Sequence, residues 1–331
     1  MQFRTLGSSD LKVSAFSYGT WQLGDKTYWG DSDWENDKAS VFAALDSGIN
    51  MFDTAPAYGK GESEIALGKA LGNKRDDILI ACKVLPEFCE PTLLRKQCED
   101  SLMRLKTDRI DLYQIHWPFY HVTNEEVWSV LQELVKEGKV REIGLSNYGS
   151  ENQDEWFDGG TAVSNQIGYN LLTRTIEDEV LPACEKHKLG VMAYMPMMQG
   201  ILSGRWDNVD DIPAARRRTR HFSNDRDSTR HGEPGCEPEL MKALGEIKRI
   251  SEGLGITMAD LSLAWVLANP AITTVIVGGR KREQIERNLR ALDIELSPET
   301  VFELNDVTAP VKKALGTRID MFCSETECRS K

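Results

Sequence analysis

The sequence predicts an α/β fold in which eight parallel strands close into a barrel with helices on its outside. Short β-like runs alternate with amphipathic helical stretches through most of the chain. Alternating βα units imply parallel strands covered by helices. Eight such units can be counted, which favours a closed (β/α)8 barrel, or TIM barrel, over an open sheet. No G-x-G-x-x-G sequence follows the first strand, which argues against a doubly wound dinucleotide-binding sheet.

Each element is predicted from a local pattern. Residues 36–47 have apolar side chains at helical spacing and stop at Gly48, a typical glycine at a helix C-terminus. The predicted strands are 16–20, 49–53, 78–84, 109–116, 140–145, 161–167, 191–194 and 273–277. The predicted helices are 36–47, 62–71, 91–105, 124–137, a short one between the fifth and sixth strands, 177–188, 257–268 and 282–292.

Three segments lie outside this alternation. Residues 1–13 alternate apolar and polar side chains around a Gly-Ser-Ser-Asp turn, which predicts an N-terminal β-hairpin. Residues 207–239 form a long, arginine-rich polar loop after the seventh strand; a structureless loop of this length is typical of a lid or a mobile loop, and a disordered surface excursion is the alternative. A C-terminal tail starts at about Ser297. Because the alternation uses nearly all 331 residues, we expect one barrel domain over 1–331 rather than two domains of about 150.

Composition and charge exclude several classes of protein. Apolar residues make up 40% of the chain, charged residues 28%, and the mean hydropathy is -0.41, which excludes collagen, coiled coil and wholesale disorder. No stretch approaches the roughly 18 consecutive apolar residues of a membrane span, so no membrane partner is expected. The net charge of -12 repels phosphate backbones, so nucleic acid is not an expected partner.

The seven cysteines predict reduced thiols in a cytoplasmic protein. Their number is odd and no two form a C-x-x-C pair, so we expect neither a disulfide framework nor a zinc site. Cys323 and Cys328 are close enough in sequence to pair under oxidation. The N-terminus has no basic region followed by an apolar run, so no signal peptide is expected.

Four polar residues lie where predicted strands end. The second strand ends at Asp53, with Tyr58 five residues on; the third carries Lys83 and the fourth ends at His116. Since reactive groups of parallel barrels lie at the C-terminal ends of strands, these side chains should meet at one mouth. Taken singly, Asp53 could cap a turn, Tyr58 could be a loop aromatic and His116 a backbone partner. Lys83 interrupts an apolar run, where a buried cation needs a partner.

This set suits the reduction of a carbonyl group. A tyrosine hydroxyl can donate a proton at neutral pH, and a Lys83 cation beside Tyr58 favours the phenolate, which eases that transfer. Asp53 would hold the Lys83 ammonium, and His116 would orient the carbonyl or pass a proton. The sequence has no nucleophilic Ser or Cys beside a base and no His/carboxylate cluster with metal-ligand spacing, so acyl transfer and a metal site are not expected.

Longer motifs resemble the aldo-keto reductase family, in particular its bacterial-type branch. They are the segments 52–59, 108–116, 143–147 and 275–288, and the similarity extends over nearly the whole chain. The resemblance implies a (β/α)8 barrel, a nicotinamide cofactor bound without a Rossmann domain, and a catalytic tetrad of Asp53, Tyr58, Lys83 and His116.

The resemblance also implies a cofactor site. Gly19, Thr20, Trp21 and Asp53 would lie near the nicotinamide; Ser146, Asn147 and Gln166 would bind its carboxamide, and Tyr194 would stack on the ring. Pro196, Met197, Gln199, Gly200, Leu202 and Ser203 would follow towards the pyrophosphate, and Gly278, Arg280, Gln284 and Asn288 would hold the adenosine end. Arg280 beside a 2′-phosphate favours NADP(H) over NAD(H); a plain surface arginine is the alternative. Met195 and Val277 depart from residues common in the family at these positions.

The expected substrate is a small carbonyl or alcohol compound. The expected pocket residues are Trp21, Trp29, Tyr58, His116 and Trp117, with Phe119 and Tyr148 completing an aromatic rim. The first hypothesis is an NADP(H)-dependent oxidoreductase that reduces aldehydes and ketones, sugar-type carbonyls included, to alcohols. The alternative is a cofactor-sensing regulatory subunit on the same barrel, similar to potassium-channel β subunits. Association into a homo-oligomer is left open.

Overall fold

A short antiparallel hairpin, β1 (Phe3–Thr5) and β2 (Lys12–Ser14), precedes a closed barrel of eight parallel strands in the computed structural model, which describes residues 1–31 and 33–331. The barrel strands are β3 (Phe16–Gly19), β4 (Met51–Asp53), β5 (Leu79–Val84), β6 (Ile110–Ile115), β7 (Val140–Ser146), β8 (Ser164–Gly168), β9 (Gly190–Tyr194) and β10 (Ile272–Val277). They pair in chain order, and β10 closes on β3. The predicted (β/α)8 fold and the N-terminal hairpin are confirmed.

Helices cover the barrel. They are α1 (Lys26–Trp29), α2 (Trp34–Asp46), α3 (Glu62–Leu71), α4 (Pro91–Leu105), α5 (Asn124–Lys136), α6 (Ser150–Phe157), α7 (Val180–Lys186), α8 (Glu237–Gly253), α9 (Met258–Ala268), α10 (Arg282–Leu289) and α11 (Pro298–Leu315). In α5, for example, Thr123 and Glu126 form a reciprocal capping box at the N-terminus. Val127, Leu131 and Leu134 follow at helical spacing and are buried.

The hairpin closes the N-terminal end of the barrel. Leu6, Leu11 and Val13 are at most 1% exposed and pack with interior residues of the strands, Met51 and Leu112 among them. The turn at Gly7 has φ +54°, and a Cβ there would lie 2.0 Å from the Val163 carbonyl oxygen, so only glycine fits under the barrel. The opposite, C-terminal end is therefore the end left for a site.

Helices α8 and α11 were not predicted from the sequence. The tail expected from Ser297 begins with the helix α11, capped by the Ser297 side chain, which accepts a hydrogen bond from the Thr300 N–H. Helix α8 was not expected, although Leu240, Leu244 and Ile247 are spaced for one helix face and are buried. The two helices pack on each other, which stabilises both.

Residues 207–239 are not structureless. His221 and Phe222 are fully buried, and Arg220 forms an ion pair with Glu233 at 2.7 Å. Arg226 donates hydrogen bonds to Glu237, at the start of α8. These buried anchors and ion pairs hold the arginine-rich segment against the body of the protein, so a disordered excursion is excluded.

A search for membrane-spanning helices covered residues 1–31 and 33–331. No single helix there is long and apolar enough to cross a membrane. Helices α8 and α9 pass that test only as a pair, by length and composition, with a bend of 95° between them.

Candidate active site

A buried ion pair lies at the C-terminal end of β4 and β5. The Lys83 Nζ donates hydrogen bonds to both Asp53 carboxylate oxygens, at 2.7 and 2.8 Å, and to the Thr54 carbonyl oxygen at 3.0 Å. Both side chains are at most 3% exposed. Burial acts to lower the pKa of Lys83, but the Asp53 carboxylate and then Tyr58 outweigh it and raise the pKa above its ordinary value. The ammonium therefore stays charged, and its charge is balanced inside the protein.

The Tyr58 hydroxyl is the fourth partner of this ammonium. It lies 3.2 Å from the Lys83 Nζ, at the start of a short 3-10 turn over Tyr58–Gly61. Loss of water around the hydroxyl raises the pKa of Tyr58, and the nearby Lys83 charge lowers it only in part. Lys83 thus favours the phenolate, as expected, but burial has the larger effect, and the hydroxyl keeps its proton.

His116 completes the group on the next strand. The residue follows β6, and its backbone N–H donates to the Val84 carbonyl oxygen at 2.9 Å. Its ring lies edge-on to the Tyr58 ring, with 6.2 Å between the ring centres. Burial, and next the Lys83 and Arg329 charges, hold the pKa of His116 well below its ordinary value, so the ring is neutral. Its Nδ1 is buried without a hydrogen-bond partner among residues 1–31 and 33–331. The structure thus brings all four strand-end residues together.

An amide network supports the ion pair from β8. The Gln166 side-chain amide donates to Asp53 Oδ2 at 2.6 Å, while Gln114 lies 3.5 Å from the same oxygen. Ser146 donates to the Gln166 backbone oxygen at 3.0 Å. The role of Gln166 as a partner of Asp53 was missed by sequence reasoning, because no local pattern links two side chains 113 residues apart.

Asn147 links this network to the barrel mouth. It has φ +61°, an uncommon value for a residue with a Cβ, and its amide donates to the His116 carbonyl oxygen at 2.9 Å. Its amide oxygen accepts a hydrogen bond from the Tyr194 hydroxyl at 2.7 Å. The expected carboxamide-binding residues Ser146, Asn147 and Gln166 and the expected stacking residue Tyr194 are therefore contiguous.

An aromatic wall from the first βα loop lies beside Tyr58. The Trp21 ring stacks 5.9 Å from the Tyr58 ring and packs against Tyr28 at 4.6 Å and Trp29 at 5.5 Å. Two polar atoms of this wall, the Tyr28 hydroxyl and the Trp29 indole nitrogen, are buried without a partner in the described part of the chain. The wall is apolar with unused hydrogen-bond donors, as expected of a small-molecule pocket.

Phe119 and Tyr148 do not belong to this wall, contrary to the expected rim. Each ring lies 6.4 Å from that of Trp156, a fully buried residue of α6, and both side chains are at most 7% exposed. Their rings pack in the layer between barrel and helices, because the large indole of Trp156 has to be covered there.

Residues 316–331 return to the mouth and cover it, which the sequence did not suggest. The Arg329 guanidinium lies 3.5 Å from the centre of the Trp117 ring and is held by the buried Asp320 at 2.8 Å. The Ser330 hydroxyl donates to the Asn147 backbone oxygen at 2.6 Å. This segment therefore fixes both Trp117 and the loop that carries Asn147.

The segment after β9 forms a cradle of left-handed backbone. Met198, Gln199 and Gly200 have φ of +46°, +54° and +92°. The Met198 and Gly200 N–H groups are already bonded to the Met195 and Met197 carbonyl oxygens, at 2.8 and 2.9 Å, so this turn is held by its own backbone. Arg216 donates to the Gln199 carbonyl oxygen at 2.7 Å, which adds a positive charge. Of the other expected residues here, Pro196 and Met197 precede the cradle, and Leu202 and Ser203 end it.

The end of β10 supplies the remaining expected residues. The Gln284 side chain accepts from the Arg280 N–H at 2.7 Å, and the Asn288 amide donates to the Gly278 carbonyl oxygen at 3.2 Å. The Arg280 guanidinium crosses to the first βα loop and donates to the backbone oxygens of Trp29, at 2.5 Å, and Asp31.

Gly19 ends β3, while Thr20 is fully buried. The Thr20 hydroxyl donates to the Asp53 backbone oxygen at 2.9 Å, so its side chain supports the strand ends from inside.

A protonated tyrosine beside a buried Lys-Asp pair, at the mouth of a (β/α)8 barrel, is an arrangement that suits an oxidoreductase. The chain belongs to the aldo/keto reductase family, whose profile matches residues 15–309. It is 31% identical over 322 residues to "Aldo-keto reductase YhdN" of Bacillus subtilis (strain 168), covering 93% of each chain.

Two further similarities bear on function. The chain is 33% identical to a "putative voltage-gated potassium channel subunit beta" of Schizosaccharomyces pombe, with 92% of each chain covered. The crystal structure of an aldo-keto reductase from Klebsiella pneumoniae in complex with NADPH superposes with a TM-score of 0.74 at 29% identity, covering 97% of this chain and all of that one.

Proposed function

We propose that the protein reduces aldehydes and ketones to alcohols with NADPH, and oxidises alcohols in the reverse direction. The observation that carries this proposal is the Lys83 ammonium, which bonds the Asp53 carboxylate and the Tyr58 hydroxyl together in one buried group. That arrangement places a charged ammonium, Lys83, directly beside a neutral proton donor, Tyr58. Its substrate is a small molecule with a C=O or an alcohol carbon.

The residues present fit a nicotinamide dinucleotide. The Arg216 guanidinium, held against the left-handed turn at 198–200, suits a pyrophosphate, and the Ser146, Asn147 and Gln166 amide and hydroxyl groups suit a carboxamide. Tyr194 offers a ring face. The full proposed set is Gly19, Thr20, Trp21, Asp53, Ser146, Asn147, Gln166, Tyr194, Pro196, Met197, Gln199, Gly200, Leu202, Ser203, Gly278, Arg280, Gln284 and Asn288. When bound, the cofactor supplies the hydride that reduces the carbonyl carbon.

Arg280 supports a preference for NADP(H) over NAD(H). Its guanidinium is held at the cleft between β10 and the first βα loop by two backbone oxygens and by no carboxylate of the described residues. A 2′-phosphate would give it an anionic partner, which neutral oxygens do not. The related Klebsiella pneumoniae enzyme is in complex with NADPH.

The protein's own residues carry the proton chemistry. Tyr58 donates its proton to the carbonyl oxygen, and its raised pKa keeps that proton in place until the oxygen becomes basic. Lys83 stabilises the tyrosinate that remains, and Asp53 keeps Lys83 charged. The neutral His116 ring donates an N–H to the same oxygen and so orients the carbonyl. Trp21, Trp29 and Trp117 form apolar walls of the pocket.

The test is to assay a panel of small aldehydes and ketones with NADPH and, separately, with NADH. Turnover is measured as the loss of absorbance of the reduced nicotinamide. We expect turnover with NADPH and a lower kcat/KM with NADH. Tight NADPH binding without turnover of any compound would instead support the regulatory subunit suggested by the Schizosaccharomyces pombe relative. Equal kcat/KM with both cofactors would contradict the role of Arg280.

We further propose that residues 1–331 act as one domain. The hairpin packs against the closed end of the barrel, and the segment 316–331 packs at its mouth. Among the described residues, neither has a hydrophobic core separate from that of the barrel.

A further inference from the structure

The arginines of the segment 207–239 differ in whether their charge is already balanced. Arg217, Arg220 and Arg226 pair with Asp210, Glu233 and Glu237, respectively, at 3.6 Å or less. Arg218 and Arg230 form no ion pair among residues 1–31 and 33–331. The Arg218 charge is therefore not neutralised by a carboxylate of the described residues.

Arg218 lies over the entrance to the site. Its guanidinium lies 4.1 Å from the centre of the Tyr28 ring and 5.6 Å from that of Phe322. Tyr28 belongs to the aromatic wall of the first βα loop, and Phe322 to the segment that covers Trp117. Arg218 therefore bridges the two sides of the mouth, and only two rings, Tyr28 and Trp21, separate it from Tyr58.

The Arg218 guanidinium at the mouth has N–H donors that bond no described residue. Its Nε donates to the Ala215 carbonyl oxygen at 2.9 Å, while neither Nη makes a hydrogen bond to any described residue. Arg230 adds a second positive charge nearby, and burial together with that charge lowers the pKa of Arg218 to about 10, which an incoming anion would reverse. Tyr28, whose ring the guanidinium covers, has a buried hydroxyl that also has no hydrogen-bond partner among the described residues.

We propose that Arg218, assisted by Arg230, selects carbonyl substrates that carry a carboxylate distant from the reacting C=O. This rests on the proposed carbonyl reduction and adds the substrate class. Two free Nη groups match the two oxygens of a planar carboxylate. An aromatic or similarly flat spacer passes between Trp21 and the opposite side of the mouth. Arg216, two residues away, points instead to the cradle at Gln199.

The test compares acids with their neutral esters. The substrates are 4-carboxybenzaldehyde and the longer 4-formylcinnamate, each against its methyl ester, in steady-state kinetics with NADPH. We expect kcat/KM to favour the acid in at least one pair by about tenfold or more, since a charge-assisted pair contributes on this scale. Arg218→Gln should raise KM for that acid by a similar factor and change KM for its ester less than about twofold.

Arg217→Gln is the matched control, since this neighbour is already paired with Asp210; it should keep the preference for the acid. The dissociation constant of NADPH, measured by fluorescence, should be unchanged in Arg218→Gln. A large loss of NADPH affinity in that variant would overturn the proposal and make Arg218 part of a cover over the cofactor.

Different results would contradict the role of Arg218 and the carbonyl reduction on which it rests. Turnover of the esters without any preference for the acids contradicts only the role of Arg218. If no aldehyde is turned over, the carbonyl-reduction proposal fails. The carboxylate site can then still be tested by measuring the affinity of 4-(hydroxymethyl)benzoate for wild type and Arg218→Gln by tryptophan fluorescence. Equal affinity in both would overturn the proposed role of Arg218.

Discussion

At the closed, N-terminal end of the barrel the buried carboxylate of Asp111 has three hydrogen-bond partners, whereas at the mouth two buried polar atoms have none among the described residues. Asp111, on β6, is 1% exposed and accepts hydrogen bonds from Arg75 at 2.6 Å, Arg141 at 3.0 Å and the Ile80 N–H at 2.9 Å. At the mouth, His116 Nδ1 and the Tyr28 hydroxyl are buried without partners among the described residues. An unpaired buried polar group costs stability, so the two unpaired atoms at the mouth fit the substrate site that we propose there.

Removal of the proton donor should have the largest effect. Tyr58→Phe keeps the ring that stacks on Trp21 but lacks the hydroxyl next to Lys83. We expect kcat to fall by roughly 100- to 10,000-fold, the range of general acid catalysis, with NADPH affinity retained. Single-turnover rates and a fluorescence titration measure the two quantities; a wild-type rate would show that Tyr58 is not the donor.

The next effect comes from unbalancing the ion pair at the mouth. Asp53→Asn leaves the Lys83 ammonium buried without an anion, and the free energy of unfolding should fall by about 3–5 kcal/mol. Activity should fall too, because Lys83 then loses its proton more readily. Urea denaturation and kcat/KM are the measurements. Unchanged stability would mean that water or another group compensates the charge.

The same substitution at the closed end should act on stability alone. Asp111→Asn weakens hydrogen bonds from Arg75 and Arg141, which have partial access to solvent, and should cost about 1–3 kcal/mol. Because the site lies at the other end of the strands, kcat/KM should stay within about twofold of wild type once the protein is folded. A large loss of activity without unfolding would contradict the separation of the two ends.

The smallest effect is on the dependence of stability on pH. Burial lowers the pKa of His221 to about 4, and burial and neighbouring charges lower the pKa of His116 as well. The unfolded chain, with histidine pKa values near 6.5, then binds more protons below this pH, so stability falls as the pH drops from about 6.5 towards 4. Denaturation midpoints at pH 7 and 5 measure the slope, which should be flatter in His221→Asn; an identical slope would contradict this origin.

Much of the barrel and the four strand-end residues could be predicted because they follow from short-range patterns. Alternation of strands and helices gave the fold, and the positions of Asp53, Lys83 and His116 at strand ends gave the site. Helix α8 had the same periodic signal at Leu240, Leu244 and Ile247, but it followed a polar segment that suggested a loop. The signal was present and was not used.

Other features carry no local signal. Arg329 over Trp117, Gln166 on Asp53 and Arg280 on the Trp29 backbone each join residues far apart in sequence. Which side chains meet there depends on the closure of the barrel and on the path of the segment after α11. Phe119 and Tyr148 were wrongly expected at the mouth because an aromatic residue after a strand can turn either to the pocket or to the helices.

The pairing of β10 with β3 has a consequence for synthesis. Strand β3 is made among the first residues but cannot be paired on its open side until β10 leaves the ribosome, some 260 residues later. Such distant pairing is slow, and the waiting strand edge is exposed to other chains. The Ser330 contact to Asn147 comes later still. During translation the protein therefore stays inactive until nearly the whole chain has emerged. Its unpaired strand edge is exposed to chaperones during that interval.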